Sequence, residues 1–272
     1  KSFNTRDEQE VAGYAELMNL VFSSWKDIPL DENHIKQLHQ ILLRFSQKDE
    51  RHRGQYKTHS NSVAAFDEYG TQVGIVFETA TPFDTPRLMK ELVAWVNEER
   101  DKAYLHPLLI TSIFAVVFLE IHPFQDGNGR LSRLLGSLLL LKNGYTWIQY
   151  VSFEHEIENR KSEYYKELID AQKNRPGENI TKWLTFFINC LNNMQSKLLL
   201  KLAESRQASE SLTQREQRIN FYIHNHAGCS SGNISAKLDI PLPTVKKSLI
   251  ELLDKKVITK EGVGRATGYY SL

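Results

Sequence analysis

The stretch Ile121-His122-Pro123-Phe124-Gln125-Asp126-Gly127-Asn128-Gly129-Arg130-Leu131-Ser132-Arg133 decides how the rest of this chain is read. It concentrates polar chemistry, yet it stands between two apolar runs: Ile113 to Leu119 before it, and the Leu-rich residues 134–141 after it. Pro107 suits the first turn of the helix that leads in. Ile110, Ile113, Phe114, Val116, Val117 and Leu119 make that helix apolar on nearly every side, the mark of a helix in the middle of a domain. Leu131, Leu134, Leu135 and Leu138 then recur at i, i+3, i+4 and i+7, which predicts a second buried helix starting near Arg130. The chemistry is therefore expected on a rigid frame.

The loop has the parts of a phosphate site. Gly127 and Gly129 lack Cβ atoms, so their backbone N–H groups can approach an anion closely. A helix beginning at Arg130 adds unpaired N–H groups and a positive dipole end. Arg130 and Arg133 are three residues apart, so both project from one sector of the first turn, and guanidinium forks match phosphate oxygens. Asp126 is a hard oxygen ligand suited to Mg²⁺ that keeps most of its waters. His122 ends the leading helix and can take a proton near pH 7. Clamp, metal ligand and base together point to phosphoryl or nucleotidyl transfer. No GxxxxGK[ST] sequence occurs, which excludes a P-loop enzyme. Taken singly, a His before Pro, a Gly-Asn-Gly turn and two helical arginines all have ordinary structural readings. Their combination within twelve positions does not.

Outward from the loop, Val11, Tyr14, Leu17, Met18 and Val21 predict a helix over residues 8–22. Asp31 is a candidate N-cap for a second helix with Ile35, Leu38, Ile41 and Leu42 on one face. Residues 46–60 are polar and read as a solvated loop carrying Arg51, His52, Arg53, Lys57 and His59. Val63 to Phe66 and Ile75-Val76-Phe77-Glu78-Thr79, around Gly70 and Gly74, predict a short β-hairpin. Asp84 or Thr85 can cap a helix with Leu88, Leu92, Trp95 and Val96. Residues 152–174 and 178–203 read as two further helices.

At 272 residues, the chain is long enough for one large domain or one domain with a small companion. The polar residues 204–212 are the expected boundary, with a first domain over 1–204, a linker at 205–212 and a second domain over 213–272. Helices marked by Ile219 and Ile223, by Ile234 and Leu238, and by Val245, Leu249 and Leu252 precede two strand-like pieces around Gly262 and Gly264. This order resembles a winged helix-turn-helix. Nine Lys/Arg against five Asp/Glu give residues 212–272 a charge of +4, while the whole chain carries +1. Any nucleic-acid field is therefore local, with Thr244, Lys246 and Lys247 as the candidate DNA contacts. Protein docking is the competing reading of this piece. Cys190 and Cys229 are far apart and lack metal-ligand spacing, which suits a reducing cytoplasm. No apolar run approaches the ~20 residues that span a bilayer.

The pattern His-Pro-Phe-x-Asp-Gly-Asn-Gly-Arg-x-x-Arg resembles the signature of Fic-domain proteins, and every position from His122 to Arg133 matches it. The resemblance extends over roughly residues 8–200, with softer matches at Ser152, Asn159, Arg160, Tyr164 and Tyr165. It implies an all-helical Fic core with a β-hairpin flap, and transfer of AMP from ATP to a Ser, Thr or Tyr hydroxyl of a protein. It implies that His122 is the base and that Phe124 anchors the loop. Asp126 would hold Mg²⁺, Gly127, Asn128, Gly129 and Arg130 would line the anion nest, and Arg133 would take the γ-phosphate. The hairpin at Ile75, Val76, Phe77, Glu78 and Thr79 resembles the flap that holds the target by β-augmentation. Tyr164 and Tyr165 either border an adenine pocket or are core aromatics. Transfer of another nucleotide or phosphoryl group, and a DNA-binding regulator that senses nucleotide through this core, are the alternatives. A homodimer is left open.

Many members of that family carry an inhibitory helix, Ser/Thr-x-x-x-Glu-Gly/Asn, whose Glu pairs with the second motif Arg. Ser152-x-x-x-Glu156 has the spacing but is followed by Ile157. The expectation is that such a helix lies upstream of Lys1, which would make this chain the less inhibited form.

Overall fold

A computed structural model of the chain describes Phe3 and residues 5–66, 72–173, 179–210 and 212–271; at 62–66, 72–78, 204–210 and 265 it describes backbone alone. The chain divides into two compact units, Lys1–Gln195 and Ser196–Leu272.

The first unit opens with α1 (Arg6–Ser24), started by a reciprocal cap in which Thr5 Oγ1 accepts from Glu8 N and Glu8 answers to Thr5 N. Leu17 and Val21 are fully buried, but Val11, expected on the same face, is 69% exposed. Asp31 caps α2 (Glu32–Leu42) as expected, through a 2.8 Å bond from His34 N. A Cβ on Gly13 would lie 2.1 Å from the Leu42 carbonyl, so a side chain there would push α1 and α2 apart.

The hairpin joins β1 (Ser62–Phe66) to β2 (Gln72–Glu78), antiparallel with two irregularities in register. Its turn lies outside the described residues. Next comes α3 (Thr85–Lys102), capped at Asp84 without a side-chain bond. The predicted central pair follows as α4 (Pro107–Ile121) and α5 (Asn128–Lys142), both buried along most of their length. Trp183 on the long α8 (Thr181–Glu210) donates to Ser112 O at 2.9 Å, which locks α8 across α4.

The segment read as one helix over 152–174 is two, α6 (Phe153–Asn159) and α7 (Lys161–Lys173). The break is at Arg160. Its guanidinium packs over Phe186 and bonds Cys190 Sγ on α8, a tertiary demand that periodicity does not carry. Helix α8 also runs through residues 205–210, the expected linker, and the two units part instead between Gln195 and Ser196. Glu, Arg, Gln and Ala are good helix formers, so a lack of apolar residues there need not end a helix.

The second unit has its own core of Leu212, Ile219, Ile223, Ile234, Ile240, Val245, Leu249, Leu252 and Ile258. Helices α9 (Gln214–Asn225), α10 (Ser231–Leu238) and α11 (Leu242–Asp254) precede the antiparallel pair β3 (Ile258–Glu261) and β4 (Gly268–Ser271), in the predicted order. Among the described residues, no helix is long and apolar enough to cross a membrane.

Candidate active site

The chain passes from α4 into α5 through six residues packed inside the fold. Each backbone carbonyl in such a place must find a donor or bear a cost of about 1–3 kcal/mol. His122 turns the chain by adopting left-handed angles (φ 50°, ψ 59°) as the C-cap of α4, and its N–H closes on Phe118 O at 2.9 Å. Its Nδ1 lies 3.1 Å from Leu119 O. A carbonyl can only accept, so Nδ1 carries the proton and the neutral ring keeps its lone pair on Nε2. Burial pushes the pKa of His122 down to about 4. The imidazole is therefore neutral at pH 7, as a base must be.

Phe124 is fully buried, stacked on His39 at 3.8 Å. The loop closes on itself beneath it: Asn128 Oδ1 accepts from Phe124 N at 2.9 Å, and Asn128 Nδ2 donates to Phe124 O at 2.7 Å. Both polar atoms of the Asn128 side chain are thus committed to the loop, and its backbone N–H is what it can offer an anion. His39, also fully buried, accepts from Gly54 N at Nδ1, so its Nε2–H donates to Asp126 O at 3.0 Å. Burial holds His39 neutral as well, with its pKa near 4. Gly127, at φ 77°, has no room for a side chain: a Cβ would meet Leu42 Cδ2 at 3.0 Å and His39 Nε2 at 3.6 Å.

Two ionic groups flank the α5 N-terminus. In the first, Asp126 Oδ1 accepts from Gly127 N at 2.6 Å and Oδ2 pairs with Arg6 at 2.9 Å. Arg6 Nε also pairs with Glu10 at 2.7 Å, and Glu10 pairs with Arg130 at 3.1 Å. In the second, Arg133 Nη2 pairs with Glu154 of α6 at 2.6 Å. Tyr14 and the Tyr164 hydroxyl bear on the same guanidinium, and burial pushes the Tyr164 pKa up to about 12. Burial opposes the charge on Arg133, but Glu154 together with Tyr164 and Tyr14 more than offsets it. The pair is incomplete all the same. Arg133 Nε and Glu154 Oε1 are both buried without a hydrogen-bond partner among the described residues. Arg133 also curls back over Gly129, where a Cβ would approach its Nη1 to 3.3 Å.

The motif residues expected to act together thus sit on one turn. Of the softer expectations, Tyr164 is buried against Trp183 and Phe186 and is a core aromatic, while Tyr165 is half-buried beside it. The backbone of residues 75–78 lies in β2, Thr79 follows it, and no described strand pairs with the other edge of β2. Lys246 and Lys247 are exposed on α11 and Thr244 is half-buried.

Several groups at the site were not singled out by the sequence. Arg6, Glu10 and Tyr14 follow one another at four-residue spacing along α1 and all reach the motif. Their spacing was a legible signal of one helix face. Glu154, His39 and Lys57 had no such signal. Lys57 lies in the stretch read as a solvated loop, yet it is only 3% exposed, and Ser46 and Asp49 of the same stretch are buried too.

Comparison with known proteins fits this geometry. Residues 29–140 match the Fic/DOC family. The Protein adenylyltransferase Fic of Drosophila mojavensis is 29% identical over 157 residues, covering 58% of this chain and 26% of that protein. Its namesake from Drosophila melanogaster is 42% identical over 64 residues, 24% of this chain and 13% of that protein. This chain therefore spans about a quarter or less of the length of these relatives. The crystal structure of a Fic family protein from Desulfovibrio desulfuricans G20 shares the fold with a TM-score of 0.63 at 22% identity, covering 99% of this chain and 76% of that one. A Fic domain containing signaling protein from Bacteroides thetaiotaomicron VPI-5482 does so with a TM-score of 0.55 at 27% identity, covering 71% of each chain. The match to the Fic/DOC family thus lies at residues 29–140, and over a wider span the chain shares its fold with solved Fic proteins.

Proposed function

We propose that the chain is a protein adenylyltransferase that moves AMP from ATP to a Ser, Thr or Tyr hydroxyl of a protein. The observation that carries this reading is His122: a neutral imidazole, its Nδ1–H held by Leu119 O, next to a glycine-rich helix start with two arginines. The relatives named adenylyltransferase support the same reaction class.

In this reading His122 Nε2 takes the proton of the target hydroxyl. The hydroxyl oxygen then bonds to the α-phosphorus, the bond from that phosphorus to the β-phosphate oxygen breaks, and pyrophosphate leaves. A positioned base contributes roughly 10²–10⁴-fold. The N–H groups of Gly127, Asn128 and Gly129 and the guanidinium of Arg130 hold the phosphates, and Arg133 takes the γ-phosphate. Asp126 is the residue that would hold Mg²⁺. A single carboxylate suits an ion that completes its shell with phosphate oxygens and water, and among the described residues no group of three His, Cys, Asp or Glu could hold an ion by itself. Mg²⁺ bound there would neutralise charge on the phosphates. The open edge of β2 offers backbone pairing to an extended segment of the target. ATP labelled in its α-phosphate, incubated with lysate, should label protein. His122→Ala should lower that labelling by roughly 10²-fold or more; equal labelling would remove His122 as the base. UTP, GTP and CTP in parallel test the choice of nucleotide.

Glu154 bears on the same step. A γ-phosphate at Arg133 must displace its carboxylate, and the incomplete pairing makes that exchange easy. Glu154→Gln should lower the KM for ATP by roughly fivefold, the value of an ion pair of about 1 kcal/mol. An unchanged or raised KM would mean that Arg133 and the nucleotide do not meet.

A second reading adds DNA as a partner of the second unit, with Thr244, Lys246 and Lys247 as contacts. It is favoured by the three helices and hairpin in winged-helix order and by the two exposed lysines on α11. If the lysines meet phosphates, log K should fall with log salt, and Lys246→Ala and Lys247→Ala should each reduce that slope by about one. Salt-independent binding, or no binding to duplex DNA, would leave protein docking as the role of this unit.

A further inference from the structure

Lys57 is the buried charge that the proposed reaction does not use. Its Nζ donates to Asn61 Oδ1 at 2.9 Å, Thr79 Oγ1 at 2.8 Å and Ile121 O at 2.9 Å, which accounts for all three ammonium protons. Its backbone N–H donates to Pro123 O at 2.9 Å. One residue therefore grips the chain on both sides of His122. The same cradle reaches the hairpin. Thr79, directly after β2, places its hydroxyl 2.8 Å from Asn61 O and 2.6 Å from Asn61 Oδ1, while Asn61 Nδ2 donates to Phe124 O at 2.9 Å. Ala80 N adds a 3.3 Å bond to Glu120 O.

Among the described residues no carboxylate pairs with Lys57. A buried ammonium held only by neutral oxygens is costly; the carbonyl end of α4, with its partial negative charge, offsets part of that cost. A purely structural tie between a loop and a helix end could be made by an Asn or a Gln without burying a charge. What the charge adds is a field at His122. Two charged groups bear on that ring: Lys57, which disfavours its protonation, and Asp126, which favours it.

We infer that Lys57 is a positioning residue that holds His122 and the root of the β1–β2 hairpin as one unit, with its charge set beside the His122 ring. The inference rests on the AMP-transfer reading for its kinetic consequences, and on the structure alone for its effect on His122. It makes flap and base move together, so a target docked along β2 presents its hydroxyl to a base already at fixed distance.

The test separates charge from geometry. Lys57→Met removes both, whereas Lys57→Arg keeps the charge but cannot fit a planar fork into a cradle of three acceptors. The titration of His122 is followed by NMR in each protein, and AMP transfer is measured across pH. For Lys57→Met the His122 midpoint should rise from about 4 but stay well below 6.5, because burial is the larger cause of its depression, and the acid limb of the rate profile should rise with it. The kcat should fall roughly 10- to 100-fold with the KM for ATP little changed. For Lys57→Arg the midpoint should stay low while kcat falls. An unmoved His122 midpoint in folded Lys57→Met overturns the electrostatic half, and an unchanged kcat overturns the positioning half. If the wild-type protein transfers no AMP, the adenylyltransferase reading fails, and the NMR titration still decides the role of Lys57. Should Lys57→Met not fold, Thr79→Val removes one acceptor and leaves the charge. A lower kcat then supports the cradle, and a wild-type kcat overturns it.

Discussion

The turn from α4 into α5 is the constraint on which the rest of the first unit depends. Two buried helices must be joined within six residues, and the carbonyls exposed by that turn sit where water cannot serve them. The chain solves this with donors drawn from almost every neighbouring element. Phe118 and Leu119 accept from His122 itself, Glu120 from Ala80, Ile121 and Pro123 from Lys57, Phe124 from Asn61 and Asn128, and Asp126 from His39. The same bonds that satisfy the backbone aim the side chains. His122 reaches its left-handed cap and its tautomer by one set of contacts, so the geometry of a base and the integrity of the core are one problem.

Electrostatics follow from the same burial. Two histidines, His39 and His122, are held neutral because a charge in this packing has too little solvation. Around the α5 N-terminus, charge is carried in ion pairs instead. Asp126, Arg6, Glu10 and Arg130 form one chain of ion pairs, and Arg133 with Glu154 forms a separate one. Each pair spends on protein carboxylates the cationic groups that phosphates would use, so a nucleotide bound as proposed would exchange partners with them. Such exchange favours specificity for polyanions over raw affinity, because every new contact replaces an existing one.

The motif was legible because its chemistry is contiguous. His122, Asp126, Arg130 and Arg133 lie within one turn and the first turn of one helix, and the apolar runs around them mark the buried frame. The cap at Asp31, the start of α4 at Pro107 and the order of helices and hairpin in the second unit were legible for the same local reason. What escaped the sequence comes from far along the chain. Lys57 and His39 meet the loop across 64 and 87 positions, and no local pattern distinguishes them from solvated residues. The break at Arg160 has the same origin: tertiary partners overrode a sound helical periodicity. The expected linker at 205–212 misled in the opposite direction, since a polar composition rich in helix formers reads equally as a loop and as a solvated helix.

The central claim is that the fold holds His122 neutral with its proton on Nδ1 and its lone pair on Nε2. Long-range ¹⁵N–¹H correlation NMR of the imidazole reads this tautomer directly. The account predicts a protonated Nδ1 and an unprotonated Nε2 from pH 8 down to about 5, with the ring charging only as pH nears 4. An imidazolium at pH 7, or a neutral ring with its proton on Nε2, would contradict it.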